Sequence, residues 1–181
     1  GWVVTGSRPG GLGSGRLVRL ARAERATAGR FEGTVTQESG VLGVAGARGD
    51  LRDLLARERC DRGAADAVAL FCYQAKKWIG AFAAVLGGVE TLVFAGGIGE
   101  NAPVVRRRIC DGLGFLGIEI DHRRNMRHAP VISPKAGRVA VRIIHTDEDL
   151  MIARSVIRTL ELGRYRPASG TRSSGRRGKR V

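Results

Sequence analysis

From Gly63 to Leu86 the apolar residues Phe71, Ala75, Trp78, Ile79, Phe82, Val85 and Leu86 return every three or four positions. That spacing lines one face of a helix at 3.6 residues per turn, so the segment is predicted as a long helix ended by Gly87-Gly88. The run Thr91-Leu-Val-Phe-Ala95 that follows is short, continuous and apolar, the pattern of a buried, parallel strand. Gly96-Gly97-Ile98-Gly99-Glu100-Asn101 reads as a loop and Ala102 to Gly112 as a helix, with Pro103 tolerated in its first turn. A second strand is expected over Val139 to Ile144, and a last helix opens at Thr146-Asp147-Glu148-Asp149 and runs to Gly163.

Upstream the pattern is weaker. Gly6 to Gly15 is rich in glycine and carries Pro9, so it is expected as loop. Leu17 to Arg30 reads as one modest helix, and Asp50 to Glu58 as another with Leu51, Leu54 and Leu55 on one face. Gly117 to Ile120 is a candidate short strand, and Arg123 to Pro134 has no regular period. Two successive strand-loop-helix units point to an α/β fold with a largely parallel sheet.

Composition narrows the classes. The chain has 181 residues and a formal net charge of +14, with 43% hydrophobic positions, enough for a buried core. Its longest apolar stretch, Ala81 to Gly99, is interrupted by glycines and Glu90 and falls short of a membrane span. The first residues show no signal-peptide pattern and no initiator methionine, so the start reads as internal and the setting as cytoplasmic. Cys60, Cys72 and Cys110 lack any disulfide or zinc spacing. Seven of the basic residues and no acidic ones lie in Arg164 to Val181, half of the net charge, in a Gly/Ser/Arg tail expected to be disordered. The expected division is therefore a folded part over residues 1–163 and a basic tail over 164–181.

Three places offer chemistry. The Gly96 to Asn101 turn, between a buried strand and a helix, lets backbone approach a ligand and aims N–H groups at an anion; the same turn also serves as a plain connection. It is neither a Walker loop nor a full GxGxxG. Thr146 followed by Asp149 resembles a capping box, which leaves Glu148 as a surplus carboxylate of the kind that anchors Mg²⁺. Arg8, in a glycine loop, is placed either to offset charge on a transferring phosphoryl group or simply to be solvated. His145 reads as a buried, hydrogen-bonded structural histidine, and Tyr73 and Trp78 as core aromatics. The cysteines have nothing local to lower their pKa.

The motifs Glu38-Ser-Gly-Val-Leu-Gly-Val-Ala-Gly46, Gly49-Asp-Leu-Arg52, Gly80 to Gly88, Leu92-Val-Phe-Ala-Gly-Gly-Ile-Gly-Glu-Asn101, Gly112 to Ile120 and Thr146 to Arg154 follow the order and approximate spacing of acetate kinases. From about Gly6 to Leu160 the chain resembles the C-terminal portion of that family. The resemblance implies an actin-like, ribonuclease-H-like ATPase domain of the acetate and sugar kinase superfamily, here the second domain and N-terminally truncated. It implies ATP-dependent phosphoryl transfer to acetate or another short-chain carboxylate, reversible through ADP and requiring Mg²⁺, in an enzyme that is a homodimer when complete. Carried over by position, Gly6-Ser7-Arg8 is similar to the family's Gly-Thr-Arg with its catalytic arginine. Asp50, Leu51 and Arg52 match the segment lining the adenosine, Gly96, Gly97, Ile98, Gly99 and Asn101 the glycine loop on its other side, and Glu148 the Mg²⁺ carboxylate.

Two departures accompany the match. Arg8-Pro-Gly-Gly-Leu-Gly-Ser14 has glycines where the family pattern has two aspartates, which loosens the loop carrying Arg8. The family's N-terminal phosphate loop, acetate-binding arginine, catalytic aspartate and histidines have no counterpart in these residues, so the chain is expected to carry the nucleotide and Mg²⁺ half of the site and to be inactive alone. Propionate or butyrate kinase is the alternative within the enzyme class. A basic relic that binds nucleic acid through its tail is the alternative outside it, predicting salt-sensitive, sequence-independent binding, but tail charge alone is weak support.

Overall fold

The computed structural model describes residues 7–8, 10–11, 13–25, 27–46 and 50–160; the side chain of Glu148 is outside this description. The chain divides after His145, and the part from Thr146 onward is a separate unit.

The first unit is organised by the long helix anticipated from the apolar period. Asp61 caps it, its Oδ1 accepting from the Ala64 N–H at 3.1 Å, and Gly87 at φ +75° ends it in the left-handed region that suits glycine. Small residues, Ala64, Ala67, Val68, Cys72 and Ala83, form its buried face. Short helices Gly40–Ala45 and Leu51–Arg57 lie against it through Val41, Leu51 and Leu54. Numbered in chain order, the helices of this unit are α1 Ser14–Ala23, α2 Ala28–Thr36, α3 Gly40–Ala45, α4 Leu51–Arg57, α5 Arg62–Leu86, α6 Gly96–Asn101, α7 Pro103–Cys110 and α8 His122–Met126. Strands β1, Thr91–Phe94, and β2, Ala140–Ile143, pair in parallel with Thr91 opposite Ala140 and Phe94 opposite Ile143. Val139, Val141, Ile143, Ile132, Ile118 and Leu113 extend the core beneath them.

Several expectations need correction. The single helix over Leu17 to Arg30 is two, because Arg25 adopts φ +45° and Thr27 opens a new helix by accepting from the Arg30 N–H. The glycine segment 96–101 is not a loop but helix α6, which begins on Gly96 at φ +71°. Residues 117–120 form no strand: Gly117, at φ +84°, closes a 3₁₀ turn over Gly114–Leu116. Within the supposedly irregular 123–134, α8 forms because Asp121 caps it through the Arg124 N–H. The α5 stripe is buried only in part. Phe82, Val85 and Leu86 are exposed, as is Tyr73, since the contact face rotates toward Ala67, Cys72 and Ala83. Strand β1 buries only Phe94, because β2 is its one sheet neighbour among the described residues.

In the second unit, α9 spans Glu148–Thr159. Its cap is Asp147, whose Oδ1 accepts from the Leu150 N–H at 2.9 Å, and not Thr146 as the capping-box spacing suggested. Among the described residues no helix is long and apolar enough to cross a membrane.

Candidate nucleotide cavity between two short helices

The C-terminal end of β1 delivers the chain directly into α6, and α4 faces it. Asp50 caps α4 through the Arg52 N–H at 2.8 Å, while Leu51 and Leu54 are buried in the core. This fixes the phase of a seven-residue helix and turns Arg52 and Leu55 to one side. On the other side, Gly99 sits so close to β1 that a Cβ there would lie 3.2 Å from the Phe94 carbonyl carbon. Between the two helices is a cavity of about 530 Å³, lined by Leu51, Arg52 and Leu55 of α4, Gly97, Ile98 and Asn101 of α6, and Ala102, Pro103 and Val104 leading into α7.

Its lining has a definite chemistry. The walls are aliphatic except for one guanidinium and one amide, and they carry no carboxylate, imidazole or thiol. Arg52 reaches across, its Nη2 lying 3.6 Å from where a Cβ on Gly97 would be. Asn101 Nδ2 donates to the Gly97 carbonyl at 3.0 Å, fastening its side chain along α6. A flat, largely apolar group with polar edges fits such walls, and an arginine stacks on the face of an aromatic ring. Among the described lining residues none is a proton-transfer group.

Comparison with known proteins gives the family of the chain. The family model described as "Acetokinase family" matches residues 1–154. The chain belongs to the acetokinase family. It is 40% identical over 171 residues to an acetate kinase of Solibacter usitatus, covering 92% of this chain and 41% of that protein. It is 40% identical to a propionate kinase of Citrobacter rodentium over 159 residues, covering 86% of the chain and 39% of the relative. The crystal structure of Porphyromonas gingivalis acetate kinase superimposes with a TM-score of 0.80 at 36% identity, over 88% of this chain and 41% of that one. The chain thus spans about two fifths of the length of these acetokinase relatives.

Within this acetokinase chain the expected site residues separate into groups. Leu51, Arg52, Gly97, Ile98 and Asn101 line the cavity together. Asp50, Gly96 and Gly99 do not line it but shape it: Asp50 as a cap, Gly99 by its close approach to β1, and Gly96 through its N–H, which the Glu100 carboxylate accepts at 2.9 Å. Arg8 is exposed and is not among the lining residues; next to it the Ser7 carbonyl accepts from the N–H of Ser39, the cap residue of α3, at 3.0 Å. Glu148 opens α9 in the other unit. Among the described residues no group of three or more His, Cys, Asp or Glu side chains is placed to cage a metal. The two buried thiols are unsuited to nucleophilic work: burial raises Cys72 and pushes Cys110 up to about 12.

Sequence reasoning missed the supports of α6. Glu100 is buried, with one carboxylate oxygen on the Gly96 N–H and the other 2.7 Å from His145 Nδ1, so His145 is tied by hydrogen bonding as expected, but its side chain is 76% exposed and not buried. Arg106, in the run Arg106-Arg107-Arg108, looks like one of three solvated arginines. Only its helical phase, on the same face as Val105, Ile109 and Cys110, marks it as buried.

Helix α4 is also clamped by charge to α7. Arg108 of α7 donates from Nη1 and Nη2 to the two carboxylate oxygens of Glu58, the residue that closes α4, at 2.7 and 2.8 Å. The hydrogen bond from Arg108 holds the Glu58 carboxyl below its ordinary value of 4.5, with burial opposing. A carboxylate depressed on folding stabilises above its unfolded pKa, and the gain is lost as pH falls through the folded value. Glu58→Gln is therefore expected to lower the unfolding free energy measured by urea at neutral pH, by up to ~1 kcal/mol for a partly screened pair. The difference from the parent chain should close as pH falls below about 4.5. A gap that stays constant from neutral to acid pH would exclude this clamp.

Proposed function

We propose that this chain forms the nucleotide side of a carboxylate kinase, which transfers the γ-phosphoryl group of ATP to acetate or a similar short-chain carboxylate and reverses with ADP. The observation that carries the reading is the α4–α6 cavity, with Arg52 laid over Gly97 and an aliphatic lining free of acid-base groups. Leu51, Leu55 and Ile98 supply apolar contact for a base, Arg52 a planar cation for its face, and Asn101 an amide at its edge. Gly97 keeps the wall thin enough for the ligand to approach the backbone.

Phosphoryl transfer asks for positioning and charge stabilisation more than for covalent chemistry by the protein. Holding the base fixes where the phosphate chain must run, and this is the contribution of α4 and α6. Mg²⁺, when bound, neutralises phosphate oxygens; Glu148 is proposed as its carboxylate on the strength of the family resemblance. Arg8, on the same ground, is proposed to offset charge on the migrating group. The acceptor is proposed as acetate, with propionate the second choice because relatives of both names match at 40% identity. The complete enzyme is proposed to be a homodimer.

The chain spans two fifths of its relatives, so a chimera tests the activity. The 181 residues are expected to replace the matched 171-residue stretch of the Solibacter usitatus acetate kinase and to preserve acyl phosphate formation from acetate and MgATP, trapped as the hydroxamate. The chain alone is expected to give no trapped product above background. A folded, nucleotide-binding chimera that makes no acyl phosphate would contradict the reading, and robust turnover by the chain alone would contradict its assignment as one side of the site.

A further inference from the structure

Arg106 is fully buried, and its guanidinium donates to backbone and amide oxygens. Its Nη1 donates to the carbonyls of Gly99 and Glu100, both at 2.8 Å, which are two consecutive residues of α6. Nε donates to Asn125 Oδ1 at 2.7 Å, and Nη2 to the Asn125 carbonyl at 2.9 Å. Asn125, itself buried at the end of α8, returns Nδ2 to the carbonyl of Pro103, a residue that lines the cavity. Burial lowers the pKa of Arg106, so the folded chain bears a desolvation cost to keep this guanidinium where it is. A six-residue helix with three glycines has little stability of its own. Its shape is supported from outside: Arg106 fastens the carbonyls of Gly99 and Glu100, and His128 Nδ1 also lies 2.8 Å from the Glu100 carbonyl oxygen.

We infer that Arg106, seated on Asn125, is a positioning residue for nucleotide: it sets the backbone of α6, and through it Gly97, Ile98 and Asn101, in the geometry that receives the ligand. The inference rests on the nucleotide reading of the cavity. A guanidinium is needed because its planar fork serves four oxygens in different directions, whereas an ammonium is a single point of charge. A merely structural arginine would affect the whole core together; a positioning one acts first on α6.

The test compares the full chain with Arg106→Lys and, as a second route to the same contacts, Asn125→Ala. Hydrogen exchange is read separately on peptides covering Gly96–Asn101 and on α5, and ADP affinity is measured per folded molecule. The expected result is faster exchange in α6 with α5 still protected, and ADP affinity lower by about tenfold or more, the scale on which small misplacements act. Unchanged exchange in α6, or unchanged ADP affinity per folded molecule, overturns the inference. So does loss of α5 protection in both variants, because Arg106 then serves the core as a whole. A parent chain that does not bind ADP overturns the nucleotide reading itself, an outcome distinct from a parent that binds and variants that bind equally well.

Discussion

Gly97→Leu is expected to remove adenine-nucleotide binding while leaving the fold intact. The backbone at Gly97 lies outside the left-handed region, and a Cβ built there meets only Arg52 Nη2, at 3.6 Å, which is ordinary contact. Leucine also favours a helix over glycine, by somewhat less than 1 kcal/mol, so α6 is not weakened. The added side chain sits at the cavity of about 530 Å³ that Gly97 lines. It fills the space between Arg52 and Ile98 that a base needs. ADP affinity measured by calorimetry should fall on the order of a hundredfold, equivalent to ~2.7 kcal/mol, with the melting temperature unchanged or slightly raised. Affinity within twofold of the parent would place the nucleotide elsewhere.

The second large effect concerns stability. Leu54 has 0% of its surface exposed, at the centre of the α4–α5 contact. Leu54→Ala removes three carbons from a closely packed interior, and such truncations cost ~2–5 kcal/mol because the surroundings only partly collapse. Against a total stability of ~5–15 kcal/mol this is a large fraction. The same substitution reaches the site, since α4 is only seven residues long and is anchored through Leu51 and Leu54. Urea unfolding should show the midpoint fall with the slope retained. A loss under ~1 kcal/mol would mean that α4 is not held against the core in solution, since burial mechanisms of this kind produce larger effects.

How much of this was legible in the residues depends on the range of the interaction concerned. Local signals worked: Gly87 after Leu86 and Pro103 at a helix start each act within a few residues, and α5 ends and α7 begins close to where those signals put them. The parallel pairing of β1 with β2 also followed, from strand-loop-helix order alone. Failures came where distant groups decide. Glycines 96, 97 and 99 argue for a loop by propensity, yet α6 forms because Glu100 binds the Gly96 N–H and Arg106 binds the carbonyls at its far end. Glu100 lies within the segment, but nothing there announces Arg106 as the partner of its carbonyls. Apolar period overstated the burial of Phe82, Val85 and Leu86, since periodicity reports which side of a helix is apolar and not what lies against it.

The site shows the same division. Leu51, Arg52, Gly97, Ile98 and Asn101 were named from motifs, and the fold brings them to one cavity. Leu55, Pro103 and Val104 complete its lining without having carried any motif of their own. Arg106 and Asn125, separated by 19 positions, form a pair that spacing along the chain gives no reason to join.

The most direct measurement is an amide NMR titration of the chain with ADP and Mg²⁺. If the cavity between α4 and α6 holds the nucleotide, the largest saturable shifts fall on Leu51 to Leu55 and on Gly97 to Val104, with Arg52 and Gly97 moving together. Shifts centred on another face, or none at millimolar ADP in a folded chain, would contradict the assignment of this cavity as the nucleotide site.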